Sequence, residues 1–391
     1  MRTVTDPERR ARLAVRHHLA GGSDSVEVIS NDVVGFHSSD PATVFLSAWA
    51  RIDGFEPRDL EEALYEKRVL VRMLGMRRTL FVIPVGLAPV VNAACTAAYR
   101  QSERQRLIGL LEDQGITEEG EEWLDKVENE TMAALVERGE ATAAELTDDV
   151  LELGLKISFG EGKRWAGTVG VSTRILFLLA TQGMIVRGRP RGKWLSSQYR
   201  WAATVTWLGR EIAPEDPVQA KAEVAQRWLR AFGPGTLTDL KWWTGWTVRD
   251  TRWALQEIGA VEVELTDGTG FVLADDVEAP QEEVEPWVAL LPSLDPTVMG
   301  WKERDWYFGG HQAALFDRNG NAGPTVWADG KVVGGWGQRS DGEPVVNLLE
   351  DVGSESAARI QAEVGRLSEW LGELIITPRF RTSLEKEIRS S

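Results

Sequence analysis

The sequence predicts an α+β protein with three tandem winged-helix units, each a helical group followed by a β-hairpin, and a small C-terminal β-barrel domain. Two observations support this. Helical stretches precede a hairpin pattern three times along the chain, and the pattern changes to short strands and turns after an acidic segment near residue 279. The predicted units cover residues 1–126, with a helical connector, 127–212 and 213–278, and the barrel-like domain covers 279–391.

The first unit begins with a helix from Pro7 to Ala20 that ends at a glycine pair. Further helices are predicted in SVEVISNDVVGF, PATVFLSAWAR and EPRDLEEALYEK. Asp40 precedes Pro41, an order typical of an N-cap residue followed by the first helical position. The runs VLVRML and RRTLFVIP flank Gly75 and predict a hairpin.

The next two units repeat this order. In the second, helices are predicted in ENETMAALVERG, TAAELTDDVLELG and GTVGVSTRILFLLATQG, and a hairpin in MIVRGRPRGKWLSSQYRWAA. In the third, helices are predicted in PVQAKAEVAQRWLRAFG, TLTDLKWWTGW and TVRDTRWALQEIG, and a hairpin in VEVELTDGTGFVLA. The phrases EPRDLEEAL, TAAELTDDV and TLTDLKWWT each open a helix and place an acid and a leucine at the same offset. They indicate an internal repeat.

The C-terminal part is predicted to be a small β-barrel or curved sheet with one covering helix. Short strands are expected in WVALLPSLDP, WYFGG, GPTVWADGKVVGGWG and EPVVNLL, and a last strand in LIITPRF. The Asp-Gly pair in ADGKVVGGW is a strong hairpin signal. The helix is expected in SESAARIQAEVGRLSEWLG.

Composition excludes several classes of protein. The chain has no run of eighteen apolar residues and no apolar signal segment at its N-terminus, so we expect a cytoplasmic protein. One cysteine and four histidines, without metal-ligand spacing, predict no structural zinc. The net charge of −16 repels phosphate on average, so any contact with nucleic acid must be local.

Basic residues cluster in the first two hairpins despite this negative charge. We predict that they contact the phosphate backbone of duplex DNA, which positions a protein without reading sequence. The alternative for any one of them is a solvated loop charge. The candidates in these hairpins are Arg72, Arg77, Arg78, Arg187, Arg189, Arg191 and Lys193, and the candidates outside them are Arg51, Arg164 and Arg174.

Four segments carry a resemblance to a known family. VVGFHSSDPATVFLSAWAR, LVRMLGMRRTLFVIP, LLPSLDPTVMGWKERDW and NAGPTVWADGKVVGGW resemble the winged-helix DNA-binding-domain proteins that include the AlkZ-like DNA glycosylases. The likeness covers nearly the whole chain. It implies a C-shaped, monomeric body around DNA that removes N-alkylated, often bulky, purines from the duplex without metal or cofactor.

The family's catalytic signature is a glutamine, an apolar residue and then a glutamine or aspartate. Aligned on the following Asp-Pro, it falls on His37, Ser38 and Ser39, so histidine and serines replace the family residues. His37 would activate the water, with Asp40 orienting its ring and Ser39 holding the water or the deoxyribose. In the alternative, Asp40 is only an N-cap, the serines are turn residues and His37 is structural.

Two functions therefore compete at this point. The first is a DNA glycosylase acting on alkylated purines of the N7-alkylguanine type. The second is a winged-helix DNA-binding or regulatory protein that lost catalysis together with the glutamines. A dimeric transcription regulator is disfavoured, because three tandem units already supply internal repetition.

Overall fold

A computed structural model describes residues 1–23, 25–160, 162–163, 166–278 and 284–390. The fold mixes helices and strands. The helices are α1 (Asp6–Arg16), α2 (Val26–Asp32), α3 (Pro41–Trp49), α4 (Pro57–Glu61), α5 (Ala88–Val91), α6 (Ala97–Asp113), α7 (Gly120–Arg138), α8 (Ala143–Asp149), α9 (Val171–Thr181), α10 (Thr204–Leu208), α11 (Pro217–Phe232), α12 (Leu237–Thr244), α13 (Val248–Glu257), α14 (Asp305–Phe308), α15 (Gln312–Leu315), α16 (Gly353–Leu371) and α17 (Ser383–Ser390). No helix in the described part of the chain is long and apolar enough to cross a membrane.

The strands form antiparallel pairs throughout. They are β1 (Phe36–His37), β2 (Leu70–Leu74), β3 (Leu80–Pro84), β4 (Glu140–Ala141), β5 (Lys156–Phe159), β6 (Gly167–Gly170), β7 (Ile185–Pro190), β8 (Tyr199–Ala203), β9 (Val261–Leu265), β10 (Gly268–Val272), β11 (Val288–Leu291), β12 (Thr325–Ala328), β13 (Lys331–Gln338) and β14 (Pro344–Leu348). The three predicted hairpins are present as β2–β3, β7–β8 and β9–β10. The assignment of each unit as a winged helix stays a prediction.

The first two hairpins belong to one sheet. Its strand order is β1-β3-β2-β7-β8-β4, and β2 pairs with β7 where Arg72 lies opposite Arg187. Helix α7 runs through the predicted boundary between residues 126 and 127, so the connector and the second unit share that helix. The division into four parts stays a prediction.

Hydrophobic packing groups the chain differently from the sheet. The first unit, the third unit and the C-terminal domain share one core, in which Trp49, Trp228, Trp301 and Trp327 are fully buried. The second unit packs around its own core of helix and strand residues. Because burial of a tryptophan removes a large apolar area from water, the shared core joins units that are distant in sequence.

The C-terminal sheet is open. Its order is β11-β12-β13-β14, and among the described residues β11 and β14 do not pair with each other, so the predicted barrel is not confirmed. Helix α16 packs against β11, and α17 packs against β13. Gly335 and Gly337 let α17 approach, since a Cβ on Gly335 would lie 2.5 Å from Leu384.

Three local predictions are wrong, each because contacts with other residues decide the conformation. The segment LIITPRF forms no strand, because the side chain of Gln338 hydrogen-bonds the backbone of Leu374 and Ile376 in place of a neighbouring strand. WYFGG contains the short helix α14, whose three aromatic residues are all buried. The predicted helix GTVGVSTRILFLLATQG begins only at Val171, and its first residues pair as β6 with β5.

Candidate active site and nucleic-acid interface

The segment that carries His37 lies at an edge of the six-stranded sheet. Strand β1 pairs with β3, with Phe36 opposite Val82 and His37 opposite Phe81. Gly35 permits this pairing, since its φ is +96° and a Cβ there would lie 2.6 Å from Ile83. After β1, the backbone N–H of Ser38 donates to the carbonyl of Leu80 at 2.7 Å. The three residues aligned with the catalytic signature therefore have a defined backbone.

The imidazole of His37 is buried and uncharged. The side chain is 5% exposed, and its ring packs edge-on against Phe81 at 5.1 Å between centroids. Burial, with a smaller contribution from the charge of Arg77, lowers the pKa of His37 to about 3. Nδ1 accepts the backbone N–H of Ser39 at 3.4 Å, so the neutral ring carries its proton on Nε2. At neutral pH this group is a weak base whose Nε2–H, without a partner among the described residues, is free to donate to a ligand.

Asp40 does not orient His37. Its Oδ1 accepts the N–H of Ala42 at 3.1 Å as the N-cap of α3, and its Oδ2 accepts the N–H of Arg379 at 2.8 Å. Burial raises its pKa, and these two N–H donors oppose that rise. No hydrogen bond joins it to His37 within the described ranges. The predicted orienting role is therefore wrong, and the alternative, an N-cap, is confirmed.

Ser38 and Ser39 differ in their surroundings. Ser38 is fully buried, and its hydroxyl accepts the Nε–H of Arg72 at 2.7 Å. Ser39 is half-buried, and its carbonyl accepts Nη1–H of Arg379 at 3.1 Å. Its hydroxyl makes no hydrogen bond with any described residue. Ser39 is thus the member of the pair that can take a ligand hydrogen bond.

The tip of the first hairpin has an unusual backbone. Arg77 and Arg78, both non-glycine residues, have φ of +51° and +62°. Such conformations cost about 1–3 kcal/mol each and persist where the surroundings enforce them. Their guanidinium groups then go to different neighbours. Arg78 pairs with Glu103 at 2.7 Å, whereas Arg77 lies 4.0 Å from the centroid of Trp242 and meets no described carboxylate.

Comparison with known proteins gives the family. The sequence profile of the family described as "DNA glycosylase AlkZ-like" matches residues 31–370. The chain belongs to the AlkZ-like DNA glycosylase family. The resemblance noted in the sequence is therefore confirmed, and the matched range contains the His37 segment and all three hairpins.

The structural comparison agrees with this family. The Streptomyces sahachiroi DNA glycosylase AlkZ superimposes with a TM-score of 0.74, over 96% of this chain and 98% of that chain, at 19% sequence identity. At that identity the likeness concerns the fold. Among curated protein sequences, none matches this chain.

Two arginines predicted to contact DNA are internal in this family member. Arg51 is 2% exposed and makes a two-pronged ion pair with Asp295, with Nη2 and Oδ1 2.8 Å apart. Arg72 is 1% exposed and donates to Ser38 and to the hydroxyl of Tyr65. The prediction that these two arginines contact DNA is wrong, because a buried guanidinium with protein acceptors cannot reach a phosphate. Arg51 joins α3 to the C-terminal domain, and Arg72 supports the segment that carries His37 and Ser38.

The second hairpin has two arginines in ion pairs with glutamates, and its loop is docked against the protein. Arg189 pairs with Glu66 at 2.6 Å, and Arg191 pairs with Glu145. Lys193 is exposed and has no partner in the described part of the chain. The next residue, Trp194, packs on Phe45 and Trp370, with ring centroids 4.5 and 5.9 Å apart. The loop is therefore held against α3 and α16.

The structure brings three other predicted arginines together. Arg78, Arg174 and Arg187 line one cavity of about 340 Å³ between the first hairpin and α9. The Cζ of Arg187 lies 3.4 Å from the ring centroid of Trp201, and burial lowers the pKa of Arg187 to about 10. Arg164 lies outside the described residues.

Sequence reasoning missed Trp242 and Arg304, which both adjoin Arg77. The Cζ of Arg304 lies 5.1 Å from the centroid of the Trp242 ring. Trp242 belongs to a tryptophan pair on a short helix, and such a pair usually predicts core. Arg304 lies in the segment WKERDW, which carried the family resemblance but no assigned role.

Proposed function

We propose that this protein is a monofunctional DNA glycosylase that hydrolyses the N-glycosidic bond of N-alkylated purines in duplex DNA. Lesions of the N7-alkylguanine type, including bulky adducts, are the proposed substrates. The observation that carries the proposal is the placement of the family's signature position. Residues 37–39 are held between a sheet edge and the start of α3, in a chain matched by the glycosylase family profile.

The proposed reaction asks little acid–base help of the protein. An N7-alkylated purine is cationic, so the C1′–N9 bond breaks with its electron pair going to the base, which leaves neutral. Water adds to C1′ of the oxocarbenium-like sugar and releases its proton to bulk water. What the protein supplies is placement of water and sugar, a contribution that preorganised donors make without moving a proton.

His37 and Ser39 are the groups that perform this placement. The Nε2–H of His37 has no partner among the described residues, and neither has the hydroxyl of Ser39. One is a donor, and the other both donates and accepts. Together they suit a water or a deoxyribose oxygen. In this mechanism His37 replaces the family glutamine as an oriented hydrogen-bonding group, without acting as a base.

The broader architecture follows the same family. We propose three winged helices in a C-shaped, monomeric body, with Lys193, Arg174 and the first hairpin tip available to DNA. The order of helical groups and hairpins supports this arrangement.

One observation favours the second candidate, a non-catalytic DNA-binding or regulatory protein. The lowered pKa of His37 leaves the site without a base of useful strength, and no described carboxylate contacts its ring. A protein that had lost catalysis would have the same fold and the same basic surface.

Single-turnover release of 7-methylguanine from a methylated duplex separates the two candidates. A glycosylase releases the base well above the spontaneous rate and leaves an abasic site that alkali cleaves. Binding of the undamaged duplex without any release would leave only the DNA-binding function. Heat-denatured protein provides the control for spontaneous depurination.

A further inference from the structure

Two guanidinium groups share one tryptophan at the edge of the first hairpin. The Cζ of Arg77 lies 4.0 Å from the ring centroid of Trp242, and that of Arg304 lies 5.1 Å from the same ring. Arg304 also contacts the ring of Phe316 at 4.6 Å. The three parts of this cluster come from the first hairpin, helix α12 and the C-terminal domain.

Neither guanidinium has an acceptor. Within the described ranges, Arg77 and Arg304 make no side-chain hydrogen bond and no ion pair, and the Nε of each is buried without a partner. Arg304 is 5% exposed, so its charge is largely removed from water. Burial, followed by the charge of Arg304, lowers the pKa of Arg77 to about 10. Two like charges held close together in a partly dry site cost free energy unless an anion joins them.

The cluster forms one wall of an open cavity of about 590 Å³. Lys302 and Arg318 line the same cavity and are exposed. Its one lining carboxylate, Asp317, is already occupied, because its oxygens accept N–H groups of Asn319 and Asn321 at 2.8 to 2.9 Å. Nearby, Asp305 accepts the amide of Gln312. The lining therefore holds four cationic side chains and a single anion.

Arg77 links this cavity to the candidate active site. The charge of Arg77 acts on His37, and Phe81 contacts both His37 and Trp243, the residue after Trp242. Arg77 has a left-handed backbone, and a Cβ on Gly245, the residue that follows α12, would lie 3.6 Å from the Cα of Arg77. The backbone of two units is thus arranged to bring these charges together.

We propose that Arg77 and Arg304, stacked on Trp242, form a binding site for a phosphate of the DNA backbone next to His37. A guanidinium matches a phosphate with two parallel hydrogen bonds, and an aromatic face orients it. Lys302 and Arg318 add charge at the rim. The phosphate holds the strand in register with His37 and Ser39. This inference rests on the proposed function for its ligand, since both concern duplex DNA.

The test compares Arg77→Gln, Arg304→Gln and the double variant with Arg230→Gln. The control arginine is exposed and paired with Asp275 at 2.6 Å, away from this cavity. Affinity for an undamaged duplex is measured over a range of salt concentrations. Each cavity variant should lower affinity about tenfold and reduce the salt slope by about one. The double variant should lose less than the two single losses combined, because both arginines bind one phosphate. The control should change neither quantity.

Thermal stability separates a phosphate site from a purely structural role of these arginines, because the two predict opposite changes in Tm. Without ligand, removal of either unpaired charge should raise Tm by about 1–2 °C, since the like-charge repulsion is relieved. Arg304→Lys should keep part of the affinity. A lower Tm together with unchanged duplex affinity would overturn the proposal. If the Arg304→Gln variant does not fold, the Arg77→Gln variant still tests the proposal, because Arg77 is only half-buried.

Inorganic phosphate identifies the source of the anion. At constant ionic strength, phosphate should raise the Tm of the wild type more than that of the double variant. If phosphate stabilises the wild type but the variants bind duplex normally, the site takes a free phosphate and the DNA inference fails. The salt slopes do not depend on base release. If the protein releases the base but the variants keep the wild-type salt slope, the phosphate-site inference fails and the glycosylase proposal stands. If the variants change the salt slope but no base is released, only the glycosylase proposal fails.

Discussion

The first and second hairpins both carry several basic residues, but these residues have different partners. At the first tip, Arg77 adopts a left-handed conformation and stacks on Trp242, and no carboxylate in the described part of the chain pairs with it. In the second loop, Arg189 and Arg191 are paired with glutamates, and Trp194 fastens the loop to the protein. Arg77 at the first tip has no competing ion pair among the described residues, whereas Arg189 and Arg191 of the second loop are held in ion pairs.

A basic run in the sequence therefore predicts a DNA contact only when the ion-pair partners of its side chains are known. An arginine paired with a carboxylate must give up that partner to bind a phosphate, and the exchange gains little free energy. An unpaired, partly buried arginine gives up no ion pair when it binds a phosphate, so it gains the full free energy of that contact. The first hairpin also lies beside His37, so the proposed phosphate site and the proposed active site are neighbours.

The largest expected effect lies beside the first hairpin. His37→Ala should lower single-turnover base release by about two to three orders of magnitude, because one preorganised hydrogen-bond donor is lost at the reacting sugar. Duplex affinity should stay within a few fold. His37→Gln should retain most of the activity, since glutamine also donates a hydrogen bond. Ser196→Ala in the second loop is the control, and equal losses in both alanine variants would break the comparison.

The pH dependence of the same step sharpens the role of His37. With a pKa of about 3, the ring stays neutral between about pH 5 and pH 8, so release should be nearly flat with pH there. A general base with an ordinary pKa would make the rate rise through about pH 6.5. Such a rise, absent in His37→Gln, would contradict the positioning role.

Acid should destabilise the folded protein through the buried histidines. His17 and His37 both have a folded pKa of about 3, below that of an unfolded histidine. Their contribution is complete above about pH 6.5 and declines as the pH falls towards 3, by up to about 1.4 kcal/mol per pH unit for each ring. Urea unfolding at several pH values measures this. In His37→Gln the decline should be shallower, and an equal decline would place the acid sensitivity elsewhere.

Trp194→Ala tests the docking of the second loop. The indole packs on Phe45 and Trp370, and its loss should lower the free energy of unfolding by about 2 kcal/mol. The neighbouring Lys193→Ala, an exposed residue, should change it by less than about 0.5 kcal/mol. Urea unfolding measures both. Equal stability of the two variants would show that the loop is free in solution.

The smallest effect is expected for the paired arginines. Arg189→Gln and Arg191→Gln should leave the salt slope unchanged and alter duplex affinity by less than about twofold, because Glu66 and Glu145 already neutralise them. A slope lowered by about one per arginine would place the second hairpin in the interface. It would also erase the contrast between the two hairpins.

By itself, the sequence determined the local elements and the family. The runs VLVRML and RRTLFVIP around Gly75 and the Asp-Gly turn in VEVELTDGTGFVLA predicted two hairpins, and Asp40–Pro41 predicted the start of α3, because these signals act between residues close in the chain. The quoted motifs also predicted the family that the profile matches.

Tertiary structure alone decided which charges are available. Arg51 meets Asp295, 244 residues away, and Arg77 meets Trp242 and Arg304 from two other parts of the chain. It also joined β2 to β7 and held LIITPRF through Gln338 where a strand was expected. The physical reason is that burial and ion pairing depend on residues far apart in sequence, whereas caps and turns are satisfied within a few residues.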